Sequence, residues 1–201
     1  MSGEQPNGPA ERPVSPNERS ADDDALLATR AASGDAEAFG ILYDRYVDVV
    51  YRYVYYRVRN EAEAEDVTSD VFFKALRAIP RYTPRQPFLA WLYRIARNSV
   101  IDRARRQRTQ IPFEDALLHP HADRVVDPDA GLLALSDSTT VREAIGRLTP
   151  LQQEVIVLRY VEGLDTRAIA RIIGRRDGTV RGIEFRALGA LRQILPSREA
   201  L

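Results

Sequence analysis

Residues 168–188 read AIARIIGRRDGTVRGIEFRAL, and the fold turns on them. Just ahead, Asp165 stands where a side chain can accept the first free N–H groups of a helix, so a short helix is predicted from Thr166 to Ile173. Gly174 turns the chain, and a longer helix is predicted from about Asp177 to Leu195. Val180, Ile183, Ala187 and Leu191 recur at helical steps and form its expected core face, with Ile169, Ala170 and Ile173 packing from the first helix. Two short helices joined by a glycine turn, the second rich in arginine, make a helix-turn-helix signature. The N-terminal half of such a second helix enters the major groove and faces base edges. Arg175, Arg176, Asp177, Thr179, Arg181 and Glu184 fall there, with Arg186 beyond them. A solvated basic helix on a generic bundle would carry similar arginines. The offsets of Thr149-Pro150, Gly163 and Gly174 favour DNA.

Moving outward, Thr149-Pro150-Leu151-Gln152 is a helix start, with a Thr cap, Pro in the first turn and Gln at the third position. That helix is expected to end at Gly163, and helical patterning resumes near Ser138. Residues 108–137 lack sustained periodicity, are broken by Pro112, Pro120, Pro128 and Gly131, and read as an irregular acidic linker. Before them, residues 22–107 show four helical stretches. The first runs from Asp22 to Ala32. A second, capped by Asp35, carries the stripe Phe39, Leu42, Tyr46, Val49, Val50 and Tyr53. A third runs from Glu61 to Ile79, with Val67, Val71, Phe72, Ala75, Leu76 and Ile79 as its stripe. A fourth, Phe88 to Gln107, sets Phe88, Trp91, Leu92, Ile95, Ala96 and Val100 against a polar face. Residues 1–21 and 196–201 are expected to be tails. The expected fold is all-α: a helical bundle over 22–107 and a helix-turn-helix domain over 138–195.

The formal net charge is zero, which alone would argue against a nucleic-acid partner. Its distribution argues otherwise. Residues 61–70 hold Glu61, Glu63, Glu65, Asp66 and Asp70 with no base, whereas residues 92–110 hold six arginines and one acid. The chain has no cysteine, which excludes disulfide scaffolds, thiol nucleophiles and Cys-ligated zinc. No apolar run has the length of a membrane span, no signal-peptide core opens the chain, and a cytoplasmic location is expected. His119 and His121 sit in the proline-rich linker with no second ligand cluster, so they read as solvated residues. No nucleophile-elbow motif is present, and neither catalysis nor a cofactor is expected.

A second constellation spans residues 80–108. Tyr82, Phe88, Trp91 and Tyr93 sit among Arg81, Arg85, Arg94 and Arg97. Aromatics interleaved with arginine suit parted DNA strands, because bases stack on rings while arginine holds phosphates. The competing reading places Phe88 and Trp91 in a core.

The stretches EDVTSDVFFKAL (65–76), FLAWLYRIARNSVIDRARRQ (88–107), LTPLQQEVIVLRYVEGL (148–164) and 168–188 together resemble a group-four, extracytoplasmic function (ECF) sigma factor of the sigma-70 family. Residues 22–107 resemble its region 2 and 138–195 its region 4. The resemblance implies core RNA polymerase as partner, bound at the β′ clamp and the β flap, together with promoter DNA, both duplex and melted. It also implies an anti-sigma factor as a partner class. On this resemblance Glu65, Asp66, Thr68, Asp70 and Phe73 bind the polymerase. The loop Pro80–Pro87, including Tyr82 and Arg85, captures a flipped base, and Asn98, Asp102, Arg105 and Arg106 lie on the DNA face of the following helix; Trp91, Arg94 and Arg97 are expected to bind DNA from the aromatic–arginine pattern. Arg175, Arg176, Asp177, Thr179, Arg181 and Arg186 belong to the minus-thirty-five reader. The family's usual serine cap is replaced by Arg176, a serine within the helix by Gly182, and a typical arginine by Ile183. A helix-turn-helix regulator independent of polymerase would place strands of a sensor domain upstream, and a helical adaptor would bind no DNA.

Overall fold

The computed structural model describes residues 16–110 and 135–195, and among these every regular element is a helix. The first set is α1 (Pro16–Ala32), α2 (Ala36–Val58), α3 (Glu61–Ala78) and α4 (Phe88–Gln110), with a 3-10 turn at Ile79–Arg81. The second set is α5 (Leu135–Gly146), α6 (Pro150–Ile156), α7 (Thr166–Ile173) and α8 (Asp177–Ile194). A π-helical turn, Val157–Val161, extends α6. The all-α reading and most helix limits hold. At the edges α1 begins at Pro16 rather than Asp22, α4 reaches Gln110 and α5 starts at Leu135. Proline suits a first turn, where its missing N–H would be unpaired anyway. The rest of the linker, His119 and His121 included, lies outside the described residues, as do residues 1–15 and 196–201.

Local chemistry sets these limits. Asp35 accepts the Ala38 N–H at 3.1 Å to start α2, and that bond, with Arg30 beside it, holds the carboxyl below its ordinary pKa. Asn60 caps α3 by accepting the Glu63 N–H at 2.9 Å. Between them, Arg59 ends α2 in the left-handed region at φ 57, its N–H donating to the Tyr55 carbonyl at 2.8 Å. Asp23 and Asp24 tie α1 to Arg45, and Tyr46 also bonds Asp24. Leu42, Val50, Tyr53, Val71, Leu92 and Tyr93 fill the centre of the first set.

The two sets pack on one another, and one contiguous group of buried side chains runs through both. Sequence patterning alone treats them as separate modules, and the seam is the main departure from it. Glu154 on α6, 2% exposed, enters between α2 and α4. Arg97 approaches it at 2.9 Å and Arg57 at 3.6 Å, and the Tyr53 hydroxyl donates to it at 3.2 Å. Arg52 meets Glu162 with two nitrogens at 2.8 and 2.9 Å, and the Tyr93 hydroxyl donates to the same carboxylate at 2.9 Å. Gln153 donates to the Tyr56 carbonyl at 2.7 Å, and Arg142 of α5 lies over the Tyr55 ring at 5.3 Å. The Arg59 side chain lies on Gly146, where a Cβ would stand 2.1 Å from Nη1. Burial, reinforced by Glu154 and Glu162 respectively, pushes the Tyr53 and Tyr93 phenols well above their ordinary pKa, so both stay neutral donors.

Candidate nucleic-acid and protein interfaces

The helix-turn-helix forms as its local signals require. Asp165 accepts the Ala168 N–H at 2.7 Å and starts α7. Gly174 closes α7 at φ 67, a conformation glycine adopts without a Cβ penalty. Arg176 occupies the cap position of α8 and makes no side-chain cap bond, because a guanidinium has nothing with which to accept an N–H. Asp177 is the first helical residue, where its charge suits the positive end of the helix dipole. Val180, Ile183 and Ala187 are buried against Ile169, Ala170 and Ile173, so Ile183 is a core residue. Arg175, Arg176, Asp177, Thr179, Arg181 and Arg186 are all exposed. Arg167, Arg171, Arg175 and Arg176 rim an open hollow of about 630 Å³ beside the start of α8. Helix N–H groups and four guanidinium groups there make a strongly anion-attracting surface. Glu184 is drawn aside by the Tyr160 hydroxyl at 3.0 Å and Arg159 at 3.5 Å.

The loop before α4 is organised by its aromatics. The Tyr82 ring is 8% exposed, lies 5.1 Å from Trp91 between ring centroids and also abuts Phe88. Its hydroxyl donates to the Gln86 carbonyl at 2.8 Å. The expectation that Tyr82 presents its face to a base is therefore corrected: two aromatic neighbours and a satisfied hydroxyl hold it inside. Trp91 is partly buried, and it lines, with Arg81, Arg85 and Arg94, a second hollow of about 290 Å³. Asn98, Asp102, Arg105 and Arg106 are exposed along α4. Arg97 departs from this face, because the buried Glu154 carboxylate draws it into the seam.

On α3, Glu65 and Asp66 are exposed, while Asp70 pairs with Lys74 at 2.7 Å. Lys74 also reaches Ser99 at 2.9 Å. Phe73 is 59% exposed with Arg77 over its ring at 5.8 Å. Thr68 is buried, so its expected outward contact is corrected to a packing position. Leu76, expected in the core, is half exposed beside Phe73. Spacing alone could have found this patch: Phe73 and Leu76 stand three apart on a helix that already buries Val67, Val71, Phe72 and Ala75.

Residues 42–110 match the family model for sigma-70 region 2, and residues 138–191 that for sigma-70 region 4. The ECF RNA polymerase sigma factor SigW of Bacillus subtilis is 32% identical over 170 residues, which cover 81% of this chain and 91% of SigW. The chain belongs to the sigma-70 family. Within it, this is an ECF-type RNA polymerase sigma factor, acting in transcription initiation. The ECF sigma factor BldN of Streptomyces coelicolor is 40% identical over 173 residues, covering 85% of this sigma factor and 65% of BldN. The solved structure of CnrH in complex with the cytosolic domain of CnrY matches 86% of this sigma factor and 96% of CnrH, with a TM-score of 0.67 and 27% identity. Among the described residues no helix is long and apolar enough to cross a membrane.

Proposed function

We propose that this sigma factor docks on core RNA polymerase through the α3 face formed by Glu65, Asp66, Asp70 and Phe73. It then reads upstream duplex promoter DNA with α8 and holds the parted strands with the Pro80–Pro87 loop and the exposed face of α4. The observation that carries the reading is the arginine-rimmed start of α8, exposed in a chain that also presents a separate acidic and aromatic face on α3. Acidic residues beside an exposed phenylalanine suit a basic, partly apolar helix on the β′ clamp, with charge steering the encounter and the ring adding buried area. Region 4 also contacts the β flap. Arg85, Trp91 and Arg94 supply the phosphate and stacking chemistry of a single-strand site, with Tyr82 and Phe88 supporting Trp91 from behind. The factor works in the cytoplasm and performs no catalysis of its own, the bond-forming chemistry belonging to the polymerase. An anti-sigma factor is proposed as regulator, as CnrH was captured with a partner chain.

Run-off transcription with core polymerase on genomic fragments tests this. Discrete transcripts that require the factor, and that weaken steeply as salt rises, are expected. Promoter selection unchanged by the factor would overturn the reading.

A further inference from the structure

Asp24 is 5% exposed, a carboxylate enclosed between α1 and α2. Arg45 pairs with it, and the Tyr46 hydroxyl donates to it. Burying a charge opposes folding even when the charge is paired, and an apolar side chain of similar volume would fill the same space. Asp23, one residue earlier, meets Arg45 at 2.7 Å on the surface and supplies an ionic tie between the two helices without that cost. What the buried carboxylate adds is direction: it fixes the Tyr46 ring by its hydroxyl.

That ring begins an aromatic chain. Tyr46 lies 5.8 Å from Phe88 between centroids, and Phe88 lies 5.8 Å from Tyr82 and 5.4 Å from Trp91. Tyr46, Phe88 and Tyr82 are buried. Trp91, at the far end, is partly open and lines the hollow with Arg81, Arg85 and Arg94. Rings packed this closely cannot turn one at a time, so an orientation fixed at Tyr46 is passed along the chain. α1 also packs on the 79–81 turn that leads into the same loop. Burial and the nearby Asp24 charge push the Tyr82 phenol up, which keeps it a neutral donor to Gln86. All of α1 precedes residue 42, where the match to region 2 begins. We infer that Asp24 is a positioning residue for the single-strand site: through Tyr46 and Phe88 it sets the angle at which Trp91 meets an unpaired base. The inference rests on the strand-holding role proposed above for this hollow and extends that site to α1.

Trp91 is the one tryptophan of the chain, so its emission reports on this ring alone. Emission is read on the free full-length factor. Strand affinity is read on the factor assembled with core polymerase, using labelled single strands of a promoter recovered in the run-off assay. Tyr46→Phe removes the bond to Asp24 and keeps the ring. It should shift Trp91 emission and weaken strand binding by about ten-fold, the scale of one base stacked on an aromatic ring. Its affinity for core polymerase should stay at the wild-type value. Asp24→Leu should behave alike, and Asp23→Asn, which touches only the surface pair, should change neither readout. Circular dichroism at the assay temperature checks folding, and Tyr46→Phe decides if Asp24→Leu does not fold. Wild-type emission and strand affinity in Tyr46→Phe would overturn the inference, even if its melting temperature fell. Trp91→Ala separates this result from the strand-site reading. If Trp91→Ala binds single strands as tightly as wild type, both fail. If it binds weakly while Tyr46→Phe binds normally, only the role of Asp24 fails.

Discussion

Glu65 and Asp66 differ from Asp70 in what surrounds them. Asp70 is answered by Lys74 within its own helix, whereas the other two present their charge to solvent. Exposed carboxylates contribute little to folding, so reversing them tests binding with small cost to the fold. The double variant Glu65→Lys/Asp66→Lys should weaken holoenzyme assembly by about ten-fold or more at low salt, because like charges then face each other across the contact. Titration of labelled factor with core polymerase measures this. Undiminished affinity would move the polymerase face elsewhere. Phe73 adds apolar area at the same place, and its ring is already paired with the Arg77 guanidinium, so docking would bury a preformed aromatic–cation contact.

At the scale of elements, α7 shows how little sequence can specify a helix. It has only eight residues, so it has few internal hydrogen bonds and relies on its cap and on burial of Ile169, Ala170, Ile172 and Ile173. Asp165→Ala should lower the unfolding free energy by about 1 kcal/mol and Asp165→Asn by much less. Urea titration followed by circular dichroism measures both, and equal losses would show that the cap bond is not the cause. This is also the scale at which the sequence was most legible. The Asp35 and Asp165 caps, the Thr149–Gln152 box and the Gly174 turn each act within a few residues, and all four form in the structure. Periodicity finds the buried stripes but does not rank positions at their margins: Leu76 falls on the stripe by spacing and is half exposed. Tyr82 is similar: aromatic–arginine interleaving cannot tell a ring that meets a base from one covered by Trp91 and Phe88.

The least legible feature belongs to the whole molecule. Glu154 and Arg97 are far apart in sequence, and neither segment marks the other as its partner. Their meeting is one of the buried contacts that join the two helical sets. Glu154→Gln would leave Arg57 and Arg97 without their counter-charge in a buried seam, and stability should fall by about 3 kcal/mol in urea titration. An unchanged midpoint would mean that the seam does not depend on this carboxylate. Disrupting the Arg52–Glu162 pair by Arg52→Ala should also lower stability: Arg52 is nearly half exposed to water, but the Glu162 side chain is 1% exposed and would keep only the Tyr93 hydroxyl as a partner.

Arg59 carries a different consequence. A left-handed backbone at a non-glycine residue costs about 1–2 kcal/mol, and glycine there would avoid it. The chain keeps arginine, whose guanidinium lies against Gly146 of the second helical set. Backbone and side chain at this corner therefore pull stability in opposite directions, and two substitutions separate them. Arg59→Ala loses the cross-set contact and retains the strained angle; Arg59→Gly loses the same contact and relaxes the angle. The glycine variant should melt above the alanine variant. Comparing each with wild type then weighs a local conformational penalty against a long-range tether.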